Sequence, residues 1–422
     1  MLDISITPDE KFSKNFEKNT VELGIKYKLT IEIKGFLGKP YAVYFGVVFL
    51  NENNSEVSRV INWLNDFSGK QYSKSLIFSP PKESKKMIPI LRANIETPVK
   101  TNIHLQVDGL EKSLTHVDIT TPDDFVFTND FLIPFQKELT KEEEDQLEKN
   151  LVWIIGPPRS GTSWFGTKLL SYDTLSMNEP QIGLHLGIRQ PRIKKQMVRH
   201  IDLFEKEPDY FFSKQYSETW RYYLRKLIIN RIYSQFQNLT QKIIIKEPNG
   251  SMGIDIITQC LTNSKIIFLI RDGRDTTDSK LDSLKKKSWA IKNYGYTPLN
   301  PNHRLEEIKF QCKLWVKLMD VLENAFEQHP KENKIKLKYE NLRKNTFDEL
   351  KKIYKFLEID IPNNILKKIV EDQSYENLPK EIKGKGRVIR SANPGNWNTN
   401  FSEEEKIVIN EIMGKKLKQF GY

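Results

Sequence analysis

The stretch LVWIIGPPRSGTSWFG, residues 151–166, is the part of the sequence that indicates the fold most directly. Its apolar start, residues 151–156, predicts a buried strand, and the prolines and glycine that follow predict a tight turn. A helical pattern begins near residue 163, so the turn connects a strand directly to a helix. Glycines there let main-chain amides approach an anion, and the N-terminus of a helix adds positive potential. The stretch therefore predicts an anion-binding loop.

Short apolar runs alternate with amphipathic segments from this loop to the end of the chain. The runs QKIIIK, KIIFLI and KIKLKY predict buried parallel strands at residues 241–246, 265–270 and 334–339. Helical patterns lie between and after them, at residues 163–172, 220–237, 252–262, 304–328, 346–358 and 402–419. We therefore expect an α/β domain over residues 150–422, in which a P-loop-type parallel sheet is flanked by helices.

A different pattern precedes the loop. Apolar and polar residues alternate over residues 22–34, which is the period of a half-buried strand. Further β-rich runs lie at residues 41–50, 88–93, 102–108 and 114–119. Several short strands without long helices predict a separate all-β, sandwich-like domain over residues 1–130, of unknown role. Residues 131–149 are expected to form a linker and a short helix, since Thr140 and Glu143 have the spacing of a capping box.

The composition is that of a folded protein, with 38% hydrophobic and 29% charged residues in a chain of 422. These values exclude a disordered or collagen-like chain. No apolar run approaches the roughly 18 residues of a membrane-spanning helix, and the first residues lack the pattern of a secretory signal. Cys260 and Cys312 lie in apolar helical patterns, so we expect buried thiols and a cytoplasmic protein.

The net positive charge of the chain comes entirely from its second part. Residues 1–140 contain 17 Lys or Arg and 18 Asp or Glu, whereas residues 141–422 contain 49 and 37. This excess indicates that the second part handles an anion. Charge alone does not separate a nucleotide from a nucleic acid, but the chain has no nucleic-acid recognition motif, so no nucleic acid is expected as a partner.

The loop departs from the phosphate-binding pattern GxxxxGK[ST] at one position. Residues 156–163 match it except that Thr162 replaces the lysine. Without that lysine the chain lacks the charge that bridges the outer phosphates of ATP, which disfavours a kinase or an ATPase. Arg159 is the basic residue that the loop offers instead.

The residues PRSGTSW resemble the 5′-phosphosulfate loop of sulfotransferases that use 3′-phosphoadenosine-5′-phosphosulfate (PAPS). In that family the amides, the basic residue and the hydroxyls of the loop hold the 5′-phosphosulfate. The resemblance therefore implies a nucleotide-binding role for Pro158, Arg159, Ser160, Gly161, Thr162, Ser163 and Trp164.

Two further segments resemble parts of the same family. In IRDGRDTTDS, residues 270–279, Arg271 at a strand end and Ser279 eight residues later resemble the pair that binds the 3′-phosphate. Residues 390–401, RSANPGNWNTNF, resemble the segment that closes over the nucleotide in the family. This resemblance implies nucleotide-binding roles for Arg390, Gly395 and Trp397. Ser391 and Ala392 replace the Lys-Gly of the family there. Tyr339 resembles a strand-end tyrosine close to the nucleotide.

The candidate catalytic residues also follow from the resemblance. Glu179 lies twenty residues after Arg159, as does the glutamate of the protein-tyrosine and related enzymes, so Glu179 is the predicted general base. Lys246 and Arg159 are the predicted electrostatic stabilisers. Pro248 occupies the site of the histidine found in the cytosolic small-molecule enzymes, and Glu247 is a second candidate base.

The resemblance implies that the chain transfers a sulfuryl group from PAPS to a hydroxyl or an amine, that PAP is the product, and that no metal is required. The acceptor is open between a glycan, a peptide tyrosine and a small hydroxyl compound, and the oligomeric state is unknown. Residues 181–240 and 283–303 are expected to line the acceptor pocket. The alternative is a non-catalytic nucleotide- or glycan-binding protein on a degenerate P-loop scaffold.

Overall fold

The chain divides into two compact units, Met1–Glu143 with Ile229–Leu239, and Glu144–Ile228 with Thr240–Tyr422. The architecture comes from a computed structural model. The structure describes residues 2–6, 12–15, 19–20, 27–34, 43–64, 71–78, 80, 83–93, 99–107, 137–184, 186, 199–294, 296–377, 383–384 and 393–422.

The first unit contains antiparallel strands. They are β1 (Leu2–Ile6), β2 (Phe12–Asn15), β3 (Asn19–Thr20), β4 (Tyr27–Lys34), β5 (Val43–Leu50), β6 (Glu56–Leu64), β7 (Gln71–Phe78), β8 (Lys86–Ala93) and β9 (Val99–Val107). One sheet has the order β1-β9-β4-β7, and a second has the order β2-β8-β5-β6 with β3 beside β8. The predicted separate β-rich region is confirmed, and its sandwich-like arrangement stays a prediction.

Strand β4 shows why the alternating pattern predicts a strand. Tyr27, Leu29, Ile31 and Ile33 are buried, while Lys34 is exposed. Successive side chains of a strand point to opposite faces, so the apolar set covers one face of the sheet. The sequence pattern does not predict strands β6 and β7, because polar residues interrupt their apolar runs. The predicted strand at residues 114–119 lies outside the described residues.

The second unit is built on five parallel strands. They are β10 (Leu151–Ile155), β11 (Thr174–Asn178), β12 (Lys242–Lys246), β13 (Lys265–Ile270) and β14 (Lys334–Lys338), in the order β11-β12-β10-β13-β14. Every residue of β10 and β13 is buried, as expected for central strands covered on both faces. This confirms the predicted sheet. Edge strand β11 was missed, since only two of its five residues are buried.

Helices surround this sheet. They are α1 (Lys141–Asn150), α2 (His200–Phe204), α3 (Ser217–Phe236), α4 (Ile254–Cys260), α5 (Gly273–Ser283), α6 (Trp289–Tyr294), α7 (Arg304–Gln328), α8 (Tyr339–Lys344), α9 (Thr346–Phe356), α10 (Asn363–Asp372), α11 (Trp397–Asn400) and α12 (Glu403–Gln419). Residues 141–143 of α1 and 229–236 of α3 belong to the first unit. Within the described part of the chain, none of them has the length and apolarity needed to cross a bilayer.

Most predicted helices are confirmed, and two differences have physical causes. The expected helix at residues 163–172 is a π-helix, Trp164–Leu169, in which the wider turn follows the loop. Helix α5 was not predicted, because its sequence GRDTTDSKLDS lacks an apolar stripe, yet most of its residues are buried. The predicted cap of α1 is confirmed: the Glu143 amide donates to Thr140 Oγ1 (3.3 Å), and the Thr140 amide donates to Glu143 Oε2 (3.0 Å).

The strand order fixes where a ligand can bind. Strand β10 lies between β12 and β13, but the chain leaves it for the far edge of the sheet, where β11 lies. Such a reversal leaves a crevice beyond the carboxyl ends of the central strands. The loop after β10 and the ends of β12 and β13 meet there. The free thiols of Cys260 and Cys312 are buried, in α4 and α7.

Candidate active site

Two glycines shape the loop that follows β10. A Cβ atom on Gly156 would lie 2.3 Å from the carbonyl oxygen of Leu269 on β13. Gly161 has a φ of 89°, and a Cβ atom there would lie 2.6 Å from the ring of Tyr339. A larger residue would clash at both positions and would also be strained at the second. The loop is therefore packed directly on β13 and on Tyr339.

The tip of the loop presents a hydroxyl and a guanidinium. Ser160 is buried, and its Oγ has no hydrogen-bond partner in the described part of the chain. Arg159 has a φ of 75°, a conformation that residues other than glycine adopt rarely. Its Nε donates to Ser279 Oγ (3.1 Å), and its guanidinium lies 5.2 Å from the centre of the Trp289 ring. The side chain of Arg159 thus joins the loop to α5.

A lysine at the end of β12 connects the loop to the predicted base. The Nζ atom of Lys246 donates to Ser163 Oγ (2.8 Å) and to Glu179 Oε1 (2.6 Å). Lys246 and Glu179 are 67 positions apart and meet because β11 and β12 are neighbouring parallel strands that end at the same edge. Three residues that the sequence predicted from separate segments therefore form one cluster.

The main chain at Glu179 holds its carboxylate in place. Glu179 has a φ of 50°, and its amide donates to the carbonyl oxygen of Lys246 (2.8 Å). Its Oε2 accepts a hydrogen bond from Asn249 Nδ2 (2.5 Å). The side chain is 31% exposed, so a substrate can reach the carboxylate. A strained residue in an open crevice is a frequent feature of functional sites.

Burial lowers the pKa of Lys246, because an ammonium loses its hydration in the protein interior. The carboxylate of Glu179 opposes this change through its charge and its hydrogen bond. Arg159 acts in the same direction as burial. The cation at Lys246 therefore depends on the carboxylate beside it.

The second candidate base, Glu247, is separated from the crevice. It is fully buried, and its Oε2 accepts a hydrogen bond from the Gln181 amide (3.0 Å). The pKa of Glu247 is raised to about 8, mainly because the carboxyl is buried, and the hydrogen bond from the Gln181 amide opposes the rise. Glu179 and Glu247 follow neighbouring strands, yet only the carboxylate of Glu179 faces the crevice.

Arg271 lies at the end of β13, where the 3′-phosphate motif was predicted. It is buried, its Nη1 donates to the carbonyl oxygen of Arg159 (3.0 Å), and its guanidinium lies 4.4 Å from the centre of the Tyr339 ring. The Nη2 atom of Arg271 lies 3.9 Å from Oδ2 of Asp275. The Nε atom of Arg271 has no hydrogen-bond partner among the described residues. Burial raises the pKa of Tyr339, so its ring is neutral at physiological pH.

The segment near the C-terminus is fastened to α5 by Asp275. This buried carboxyl accepts hydrogen bonds from the amides of Gly395 (2.7 Å) and Trp397 (3.3 Å). The Trp397 ring also lies 4.0 Å from the Arg274 guanidinium. Burial raises the pKa of Asp275, while Arg271 and the two amides oppose the rise. Gly395 and Trp397 thus reach the site, and Arg390 lies outside the described residues.

Sequence reasoning missed Asp275, Asn249 and Trp289. Asp275 follows Arg271 by four residues, which is the spacing of side chains on one face of a helix. That signal was present in the sequence, but the contact with Gly395 spans 120 positions. Asn249 and Trp289 had no signal, because only the fold brings them next to Glu179 and Arg159.

A small cavity of about 130 Å³ adjoins this cluster. Arg159 and Asn249 contribute to its wall. The rest of the wall combines aliphatic and aromatic side chains with hydroxyl, amide and ammonium groups, from the loop, α5, α7 and nearby residues: Pro157, Pro158, Thr276, Thr277, Lys280, Tyr296, Phe310, Gln311, Leu314, Trp315 and Leu318. A substrate group in this cavity would lie beside residues that contact Glu179 and the loop.

A larger cavity, of about 590 Å³, is lined by the aromatic residues that the sequence placed near the acceptor. Trp220 is buried there, and its Nε1 donates to the carbonyl oxygen of Ser213 (3.0 Å), which gives it a structural role. Phe211 and Tyr223 are 78% and 64% exposed, so their rings are accessible. Among the described residues there is no group of three or more side chains suited to hold a metal ion.

Comparison with known proteins shows which proteins this chain is similar to. The model of the sulfotransferase family matches residues 152–363, half of the chain. Similar solved structures include mouse sulfotransferase SULT7A1 complexed with PAP (16% identity, 66% of this chain and 93% of that chain, TM-score 0.38). Sulfotransferase STF9 from Mycobacterium avium has 13% identity over 64% of this chain and 77% of that chain (TM-score 0.38). No curated protein sequence matches.

Proposed function

The chain belongs to the sulfotransferase family, and from this we propose that it transfers a sulfuryl group from PAPS to a hydroxyl or an amine of an acceptor, with Glu179 as the general base. The matched residues contain the loop, Glu179, Lys246, Arg271 and Ser279. One observation carries the proposal. A single ammonium, that of Lys246, donates hydrogen bonds both to the loop at Ser163 and to Glu179.

The residues present suit a nucleotide that carries a phosphosulfate and a 3′-phosphate. Ser160 Oγ and Arg271 Nε are buried donors without partners in the described chain, and a buried polar group needs one. Gly161 has no side chain, so an anion can approach the main chain of the loop closely. In this proposal the loop holds the 5′-phosphosulfate, and Arg271 with Ser279 holds the 3′-phosphate. PAPS, when bound, supplies the sulfuryl group, and PAP is released.

Glu179 takes the proton from the acceptor hydroxyl as that oxygen attacks. The exposed fraction of its side chain supports this role, since a base must reach the proton that it removes. The hydrogen bond from Asn249 and the short contact with Lys246 hold the carboxylate in one orientation. A proton on the Glu179 carboxylate would weaken its attraction to Lys246 and leave that ammonium free to interact elsewhere.

Lys246 stabilises the negative charge that develops on the oxygen leaving sulfur. Its Nζ lies 2.8 Å from a hydroxyl of the loop that would hold that oxygen, and it is shielded from water. Electrostatic stabilisation is strongest in such a setting, because water does not screen the charge. Arg159 is the second electrostatic stabiliser of this proposal, and its hydrogen bond to Ser279 holds it in place.

The cavity beside Asn249 and Arg159 is our candidate for the acceptor. Its wall offers hydroxyl and amide groups together with aromatic rings, and a volume of about 130 Å³ suits the reacting end of a sugar, a tyrosine side chain or a small hydroxyl compound rather than a whole glycan. Lys280 adds a cation. An acceptor screen should therefore include glycans, tyrosine peptides, phenols and small amines.

Calorimetry with PAP in the absence of divalent metal tests the nucleotide site. Wild-type protein should bind PAP, ATP with magnesium should compete poorly, and Arg271→Ala should abolish binding. Arg231→Ala, which removes an exposed arginine, is the matched control and should bind as the wild type does. Metal-independent PAP binding that Arg271→Ala removes would justify the acceptor screen with PAPS. A folded wild type that does not bind PAP would refute the proposal.

A further inference from the structure

Two consecutive residues at the end of β12 contact the segment that carries Glu179. The carbonyl oxygen of Lys246 accepts a hydrogen bond from the amide of Glu179 (2.8 Å), and Oε2 of Glu247 accepts one from the amide of Gln181 (3.0 Å). The Glu247 amide in turn donates to the carbonyl oxygen of Ile154 on β10 (3.0 Å). Glu247 is therefore fixed to the central strand and holds the segment after β11.

The segment that Glu247 holds has an unusual backbone. Glu179 and Gln181 have φ values of 50° and 59°, in the left-handed region that residues other than glycine rarely occupy. Such a conformation persists only where the surroundings impose it. The two amide contacts from the end of β12 fall on these two residues. They supply the constraint that the backbone requires.

Two glycines let the main chain close around this carboxyl. A Cβ atom on Gly250 would lie 1.6 Å from Glu247 Oε1, and a Cβ atom on Gly183 would lie 2.0 Å from the carbonyl oxygen of Gly250. Glu247 has no exposed surface. A carboxyl enclosed in this way cannot take a proton directly from a substrate in the crevice.

We propose that Glu247 is a positioning residue, whose carboxyl anchors the Gln181 amide and so keeps Glu179 in the conformation that directs its carboxylate to Lys246. This inference rests on the proposed function, because it assigns Glu179 as the base. It gives the two neighbouring glutamates different tasks: Glu179 reacts, and Glu247 holds the main chain that orients it.

The protonation state of Glu247 belongs to this role. Burial raises its pKa to about 8, and the charge of Glu179 adds to the rise while that of Lys246 opposes it. At pH 7 the carboxyl is therefore mainly neutral, and the ammonium of Lys246 is left to Glu179. As the pH rises through about 8, Glu247 becomes a buried carboxylate beside Glu179. This carboxylate accepts the hydrogen bond of the Gln181 amide more strongly, but it repels the Glu179 carboxylate and competes with it for Lys246, so activity should fall on the alkaline side.

Glu247→Gln and Glu247→Ala separate anchoring from base catalysis. Glutamine keeps an oxygen for the Gln181 amide but neither ionises nor accepts a proton, so kcat at pH 7 should stay within about 3-fold of the wild type, and the alkaline decline near pH 8 should shrink. Alanine removes the anchor, so kcat should fall by about 10- to 100-fold, as small displacements of catalytic groups do. PAP affinity should change little in either variant.

Hydrogen exchange of the 178–183 amides gives a measurement that does not need turnover. Exchange should accelerate in Glu247→Ala and stay near the wild-type rate in Glu247→Gln. If Glu247→Gln loses as much kcat as Glu179→Gln, Glu247 is the base and the inference is wrong. If exchange is unchanged in Glu247→Ala, the anchor does not exist. A wild type without turnover would count against the proposed function, while exchange would still test the anchor.

Discussion

At one end of the candidate active site, Glu247 accepts a hydrogen bond from the amide of Gln181. At the other end, Asp275 accepts hydrogen bonds from the amides of Gly395 and Trp397. Both carboxyls are fully buried, and both lie next to a cation at a strand end. At the first end the cation, Lys246, is already paired with Glu179 at 2.6 Å. At the second end the cation, Arg271, lies 3.9 Å from Asp275 and retains an unpartnered Nε among the described residues.

This difference in how the two cations are paired indicates a different role for each end. The Glu247 end connects neighbouring strands of one sheet and holds a cation and a carboxylate in contact before any substrate arrives. The Asp275 end connects α5 to a segment 120 positions later and keeps part of its cation available. We therefore expect the first end to govern the chemical step and the second to govern nucleotide affinity.

Glu179→Gln should have the largest effect and acts only on the first end. The amide cannot take the acceptor proton, so kcat should fall by about 10³-fold, within the range for loss of a general base. PAP affinity, measured by calorimetry, should stay within a few-fold. Glu207→Gln, on an exposed residue, is the control and should be fully active. A matching loss of PAP affinity would remove the distinction between the two ends.

Lys246→Met should lower kcat by about 10²-fold, the effect of removing one electrostatic stabiliser from a transition state. Methionine fills a similar volume, so the fold should persist, as circular dichroism can verify. Lys242→Met, at the opposite end of the same strand, is the matched control and should keep kcat. Unchanged turnover in Lys246→Met would show that this cation plays no part in the reaction.

Asp275→Ala tests the second end. The variant removes the acceptor of two amides, so residues 393–400 should exchange hydrogen faster and PAP affinity should fall about 10-fold, which corresponds to roughly 1.4 kcal/mol. Turnover at saturating PAPS should change less than affinity does. Asp348→Ala, on an exposed position of α9, should change neither quantity. A lower kcat with unaltered PAP affinity would reverse the assignment of the two ends.

Trp397→Leu should have the smallest effect. The ring lies 4.0 Å from the Arg274 guanidinium, and a contact of this kind at a partly exposed site contributes about 0.5–1 kcal/mol. PAP affinity should therefore fall about 2- to 5-fold, because the amide of residue 397 still reaches Asp275. Calorimetry at two PAP concentrations resolves a change of this size. An effect as large as that of Asp275→Ala would mean that the ring, rather than the amides, holds the segment.

Local patterns were sufficient for most of the second unit. The apolar runs predicted β10, β12, β13 and β14, and the helical pattern of residues 304–328 coincides with α7. Helix α5 shows the limit of this reasoning: its residues are polar, and burial against α7 and α12 rather than an apolar stripe makes it part of the interior. Gly273 permits that packing, since a Cβ atom there would lie 2.7 Å from the Trp315 ring.

The candidate site divides in the same way. The sequence placed Lys246 and Arg271 at strand ends, which parallel strands bring to one edge, whereas Glu179 was found only by its distance from Arg159 in the sequence. The resemblance favoured Glu179 over Glu247 as the base, but the residue types alone did not separate them, because both are glutamates. Their exposure differs, at 31% for the first side chain and none for the second residue, and exposure is a property of the folded chain.

The sequence by itself determined the family, the parallel sheet and the loop, because these depend on residue types at short, regular spacings. Tertiary structure decided which carboxyl faces the crevice, which one lies beneath it, and how Asp275 meets a segment 120 positions away. Such contacts depend on strand order and burial. A glutamate enclosed by main chain and one open to water differ by the free energy of desolvating a charge, which residue spacing does not encode.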